Sequence, residues 1–143
     1  MISEDALRQF LKAAPKVSSM SVQEAENFYE LGFSLYQSGS FEKAAEVFRV
    51  LSAQKPLVSK HWFGLASSLQ ESKNYEKALS AWAMAAILDE ENPYPHFHAA
   101  ECAFSLNQQK DARAALNAAA LRVKENLVLQ DRIDLLKQQW SIT

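Results

Sequence analysis

"GSFEKA" at residues 39–44 returns as "KNYEKA" at residues 73–78, so an aromatic-Glu-Lys-Ala run recurs after 34 positions. The same step carries Ala44 to Ala78 and Ala112, and Phe48 to Trp82 and Leu116. It also carries Gly32 to Ala66 and Ala100, and Leu31 to Leu65 and Ala99. The register holds without insertion over three units, about 25–58, 59–92 and 93–126. In each unit, apolar residues recur at helical spacing on both sides of a short polar turn. The turns fall at Ser38-Gly39, Ser72-Lys73-Asn74 and Asn107-Gln108. Each unit therefore reads as two amphipathic helices.

A period of 34 with small residues at these places is the tetratricopeptide pattern. The expected fold is all-α: three tandem tetratricopeptide repeats, helical hairpins in a right-handed solenoid, between an N-terminal helix and a C-terminal capping helix. Composition agrees, with only three Gly and four Pro, sparse Val, Ile and Thr, and abundant Ala, Leu, Glu, Gln and Lys. Gly32, Ala66 and Ala100, with Ala44, Ala78 and Ala112, let paired backbones approach closely. Phe48, Trp82 and Leu116 fill the space toward the following unit.

The flanks follow from capping signals. Ser3 is an N-cap for a helix ending before Pro15, with Leu7, Phe10 and Leu11 on one side. Ser21 and Glu24 have capping-box spacing. Pro56 helps stop the second helix of the first unit, and Pro93 opens the first helix of the third. Leu129, Ile133, Leu136 and Trp140 form the stripe of a capping helix, about 126–140, needed because stacked repeats otherwise expose an apolar end. The organisation expected is an N-terminal helix and linker over 1–20 and a repeat domain over 21–143.

The chain has 143 residues, 48% hydrophobic and 22% charged, which is an ordinary globular balance. Its net charge is −2, with both signs interleaved, so nucleic acid is not an expected partner. Cys102 is the one cysteine, which rules out an internal disulfide and suits a reducing compartment. No basic segment followed by a long apolar run opens the sequence, and no stretch approaches eighteen apolar residues. A cytoplasmic protein with no membrane insertion is expected.

The first helix of a tetratricopeptide repeat lines the concave surface. Its groove positions are Glu26, Tyr29, Phe33 and Tyr36 in the first unit and Lys60, Phe63, Ser67 and Gln70 in the second. In the third they are Tyr94, Phe97, Glu101 and Phe104. Seven of these twelve are aromatic, out of eight Phe, four Tyr and three Trp in the whole chain. A solvated face carries mostly charged and amide side chains instead. The pattern predicts an apolar trough for an extended peptide, with Ser67, Gln70 and Glu101 as polar contacts to its backbone. The alternative is that the terminal helices fold back and cover it.

Catalytic chemistry is not expected. There is no glycine-rich phosphate loop, and nothing calls for a cofactor. His96 and His98 stand two apart on a helix, so their side chains diverge by about 200° and do not share a metal easily. His98 and Cys102 have ligand-pair spacing but no third partner, so both are expected to pack rather than bind metal. The Lys and Asn set with which heat-shock co-chaperones of this fold clamp a carboxylate terminus is also missing, because Tyr29 and Phe33 stand there.

"YELGFSLYQSGSFEKAAEVF" (29–48), "HWFGLASSLQ" (61–70) and above all "PHFHAAECAF" (95–104) carry a further resemblance. With Gly64 and the run from His98 to Cys102, these stretches resemble the class II chaperones of type III secretion systems, the SycD/LcrH, IpgC, SicA and PcrH group. The similarity covers about residues 20–125. The resemblance implies a bacterial cytoplasmic chaperone that holds hydrophobic translocator proteins before export. It implies an extended client segment bound in the concave groove, at the aromatic positions above. It also implies a homodimer through the N-terminal region, which corresponds to residues 3–20 here. A general tetratricopeptide scaffold linking proteins in an assembly is the competing reading.

Overall fold

The computed structural model describes residues 3–13 and 20–141. Among them are eight helices and no strand: α1 (Glu4–Ala13), α2 (Val22–Gln37), α3 (Phe41–Gln54), α4 (Ser59–Glu71), α5 (Tyr75–Leu88), α6 (Tyr94–Ser105), α7 (Gln109–Ala120) and α8 (Leu127–Gln139). The described chain divides into two compact units, residues 1–74 with α1–α4 and residues 75–143 with α5–α8.

In the first unit, Ser3 accepts from the Ala6 N–H and starts α1. The capping box at α2 is complete. Ser21 Oγ accepts from the Glu24 N–H at 3.0 Å, and Glu24 accepts in return from the Ser21 N–H at 3.2 Å. Such a cap is worth about 1 kcal/mol. Phe28, Leu35, Ala44, Val47, Phe48, Leu51, Leu65 and Ala66 are buried between α2, α3 and α4. Leu7 of α1 is buried as well, whereas the side chains of Phe10 and Leu11 lie outside the described set.

Two glycines set the spacing of these helices. A Cβ on Gly32 of α2 would come within 2.8 Å of the Phe48 ring, and one on Gly64 of α4 within 2.5 Å. The ring of Phe48 thus fills the room that both glycines leave, which is why α3 can lie against two neighbours at once.

The turns repeat as closely as the helices do. Gly39, Lys73 and Asn107 all have positive φ, at 83°, 64° and 61°. Each closes the preceding helix with the same pair of bonds. Ser40 donates to the Leu35 carbonyl, Asn74 to Leu69 and Gln108 to Ala103, while Gly39, Lys73 and Asn107 donate to Tyr36, Gln70 and Phe104. These are left-handed helix stops. Glycine and asparagine suit them, and lysine adopts them at a cost.

In the second unit, α5 packs on α6, α6 on α7, and α7 on α8. Pro93 is the N-cap of α6. Asn126 caps α8, accepting from the Leu129 N–H, and its side-chain amide donates to the Tyr94 hydroxyl at 3.1 Å. Phe97, Ala100, Leu116, Ala119, Val123, Leu129 and Ile133 form one buried cluster, with Tyr94, Leu136 and Trp140 packed against it. Arg122 ties this layer to the loop after α5, donating to the Glu90 carbonyl at 2.7 Å and to the Ala118 carbonyl at 2.8 Å.

Candidate functional site

In the first unit, α2 and α4 form an aromatic wall. Tyr29, Tyr36 and Phe63 are half-buried, and Phe33 is 48% exposed, a large apolar surface for a side chain in a well-formed helix. Tyr29 stacks on Phe33 with ring centroids 6.4 Å apart and meets the edge of Phe48 at 5.8 Å. Tyr36 stands edge-on to Phe41 at 5.1 Å. Ser67 and Gln70 of α4 are half-buried on the same helix as Phe63.

One cation organises this wall. Lys60 Nζ lies 4.4 Å from the centre of the Tyr29 ring and 2.8 Å from Glu26 Oε1. The cation–π contact and the ion pair together hold Tyr29 in place and neutralise Glu26. Beneath them His61 is buried, with Nδ1 3.3 Å from the Lys55 carbonyl. Burial pushes its pKa down, with Lys60 adding to the effect and the Lys55 carbonyl and Glu26 opposing it. Burial also raises the pKa of the Tyr36 phenol, helped by Glu71, so it stays a neutral hydrogen-bonding group.

The expected groove residues of α6 meet different surroundings. Phe97 is 1% exposed and belongs to the core, between Leu116 of α7 and Leu129 and Ile133 of α8. The guanidinium of Arg132 closes over its ring at 4.6 Å. Phe97 is therefore corrected from a groove-facing residue to a core residue, because α8 lays its apolar stripe on that side of α6. Phe104 is half-buried and stacks flat on Trp140, with centroids 4.4 Å apart and planes 7° from parallel. Tyr94 is half-buried with its hydroxyl bonded by Asn126. Glu101 pairs with His98, Oε1 to Nδ1 at 2.6 Å.

His98 is layered among rings, stacked on Trp82 at 5.0 Å and on Tyr94 at 6.2 Å. Cys102 is fully buried, and burial followed by the nearby Glu101 pushes its thiol up to about 12, with Trp82 pulling the other way. A thiol so buried and so far from ionising is a poor nucleophile near neutral pH. Among the described residues, no three His, Cys, Asp or Glu side chains are grouped to hold a metal ion. No described helix is long and apolar enough to cross a membrane.

Paired helices closed by left-handed stops, with a partly exposed aromatic wall on the first helices of two repeats, define a tetratricopeptide-repeat protein. A tetratricopeptide repeat profile matches residues 26–53 and 59–92. The chain is 32% identical over 114 residues to the low calcium response locus protein H of Yersinia pestis, covering 78% of this chain and 68% of that protein. It is similar in structure to the Yersinia enterocolitica type III secretion chaperone SycD in complex with a peptide of the translocator YopD. The TM-score there is 0.82 at 27% identity, over 87% of this chain and 97% of that one. PcrH in complex with the chaperone binding region of PopD gives a TM-score of 0.82 at 26% identity, over 86% and 95% of the two chains. The chain belongs to this family, the class II chaperones of type III secretion systems.

Proposed function

We propose that this protein is a non-enzymatic chaperone of the bacterial cytoplasm that holds hydrophobic translocator proteins of a type III secretion system before export. An extended client segment lies along the α2–α4 wall, with Tyr29, Phe33, Tyr36 and Phe63 as apolar seats and Ser67 and Gln70 as partners for its backbone. Tyr94, Glu101 and Phe104 on α6, expected at groove positions, are engaged within the second unit by Asn126, His98 and Trp140. Phe97 supports that face from beneath and does not touch the client. Homodimerisation through the N-terminal region belongs to the same reading. Of the corresponding residues 3–20, positions 14–19 lie outside the described residues.

The observation that carries the proposal is Phe33. Its side chain is half in water although the helix that bears it is packed and capped at both ends. Its one ring contact within the wall, the stack on Tyr29, leaves about half of it in water, whereas a bound leucine or proline would cover it.

The test has two arms. Phe33→Ala should weaken binding of a translocator-derived peptide about tenfold, as the loss of roughly 1–2 kcal/mol of apolar burial implies, with an unchanged circular dichroism spectrum. Unaltered affinity in a titration would remove the wall from the site. In the second arm, co-expression should bring a membrane-active client into a soluble stoichiometric complex. A scaffold that only links folded proteins would leave that client aggregated.

A further inference from the structure

The second unit contains a cavity of about 370 Å³ that the wall on α2 and α4 does not share. Its apolar lining is Leu116 of α7 with the stacked pair Phe104 and Trp140. Its polar lining includes Arg113 and Asn117 of α7 and Lys137 near the end of α8. No carboxylate lines the cavity, although the chain as a whole carries more acidic than basic residues. Neither Arg113 nor Lys137 takes part in any of the ion pairs found among the described residues.

Two cations without carboxylate partners beside a flat aromatic floor make a specific chemical demand. A carboxylate entering there accepts charge-assisted hydrogen bonds from Arg113 and Lys137. An apolar side chain next to it covers the exposed edge of the Phe104–Trp140 pair and Leu116 below. The volume, a few hundred Å³, suits one or two side chains rather than a long extended segment. Asn117 offers both a donor and an acceptor to the backbone that joins them.

From this charge complementarity we propose that the cavity is a second peptide-binding site, selective for an acidic residue adjacent to a leucine or an aromatic residue. It reads charge, whereas the α2–α4 wall, whose Lys60 is already paired with Glu26, reads apolar bulk.

The test is a nuclear magnetic resonance titration of the full chain, isotope-labelled, with the capped peptide Ser-Glu-Leu-Asp-Phe-Gly. The control peptide carries lysine at both acidic positions. Saturable shifts centred on Arg113, Lys137 and the Trp140 indole N–H, seen with the acidic peptide only and reduced by added salt, are the expected result. The double variant Arg113→Glu with Lys137→Glu should weaken that binding about tenfold or more, as reversal of two exposed charges implies. If the double reversal perturbs folding, Arg113→Gln with Lys137→Gln should still weaken it while leaving the spectrum otherwise native. Equal binding of the lysine peptide, unchanged affinity in the charge variants, or shifts confined to Tyr29 and Phe33 would overturn the proposal. So would complete displacement of the peptide by millimolar acetate, which would mark a site for free anions. The α2–α4 wall is tested separately by Phe33→Ala, so the two readings fail independently.

Discussion

Tyr29 on α2 and Phe97 on α6 stand at the same register of their repeats, and each has a cation over its ring, Lys60 at 4.4 Å and Arg132 at 4.6 Å. The helix laid over each decides the rest. Over α2 comes α4, which gives Tyr29 a lysine stem and leaves Phe33 48% exposed. Over α6 comes α8, which gives Phe97 Leu129 and Ile133 and gives Phe104 the plane of Trp140. Two aromatic faces of like composition thus end as an open wall in one unit and a covered layer in the other. An aromatic residue at a repeat's inner face presents its ring to solvent only where its next neighbour leaves it uncovered.

Truncating the covered ring is the strongest way to test that contrast. Phe97→Ala should cost about 3–5 kcal/mol of stability, as large-to-small changes of buried aromatics do, read from the urea midpoint. A cost no larger than that of an exposed substitution, within about 0.5 kcal/mol, would return Phe97 to the surface. Trp140→Ala should make the second unit more like the first, baring Phe104 at a cost of about 2 kcal/mol for the stacking and the lost burial. Binding of a hydrophobic dye should rise with it.

A third test uses pH. Burial holds the folded-state pKa of His61 below its ordinary value, so the fold binds fewer protons than the unfolded chain. The stability that comes with neutral His61 is therefore full above about pH 6.5 and is lost as pH falls from there toward the depressed value. His96 in the second unit is shifted the same way, by burial and then by Arg122, but it is only half-buried. Urea midpoints compared at about pH 7.5 and about pH 5.5 should fall with acidity, and His61→Gln should flatten that dependence more than His96→Gln. The smallest effect belongs to Lys60→Met, which keeps the stem over Tyr29 and removes the charge. Its cost should stay under about 1 kcal/mol and shrink with salt in the parent protein, as a partly exposed ion pair and cation–π contact require.

The repeat step of 34 made most of this legible beforehand. It located the helices, the turns and the place of Phe48 between repeats, and the helical spacing of Leu129 and Ile133 marked the capping helix, because packing periodicity is written in side-chain type. What it left open lies where the repetition stops. Phe97 follows the same step as Tyr29 and Phe63, so the step placed all three alike. Only α8, which is not a copy of the earlier first helices, makes the difference. The signal was present in part: a stripe read as covering the last repeat must cover something, and Phe97 is what it covers. The left-handed stops were half visible too. Gly39 and Asn107 are ordinary residues for such a stop, but Lys73 is not, and hydrogen bonds from Lys73 and Asn74 back to Gln70 and Leu69 hold it there.

The Phe48 ring, pinched between Gly32 and Gly64, has a consequence for how this protein can change over generations. With distances of 2.8 and 2.5 Å to a hypothetical methyl, neither glycine can acquire a side chain unless the phenyl ring shifts. A shorter residue at Phe48 would leave two bare strips of backbone facing a void. Each single step costs stability, and the order that begins at Phe48 is the more open one, because a smaller residue there makes room for either methyl. Among descendants of this sequence the three positions should change in that order, a glycine gaining its methyl in lineages that have already traded the phenylalanine for something smaller.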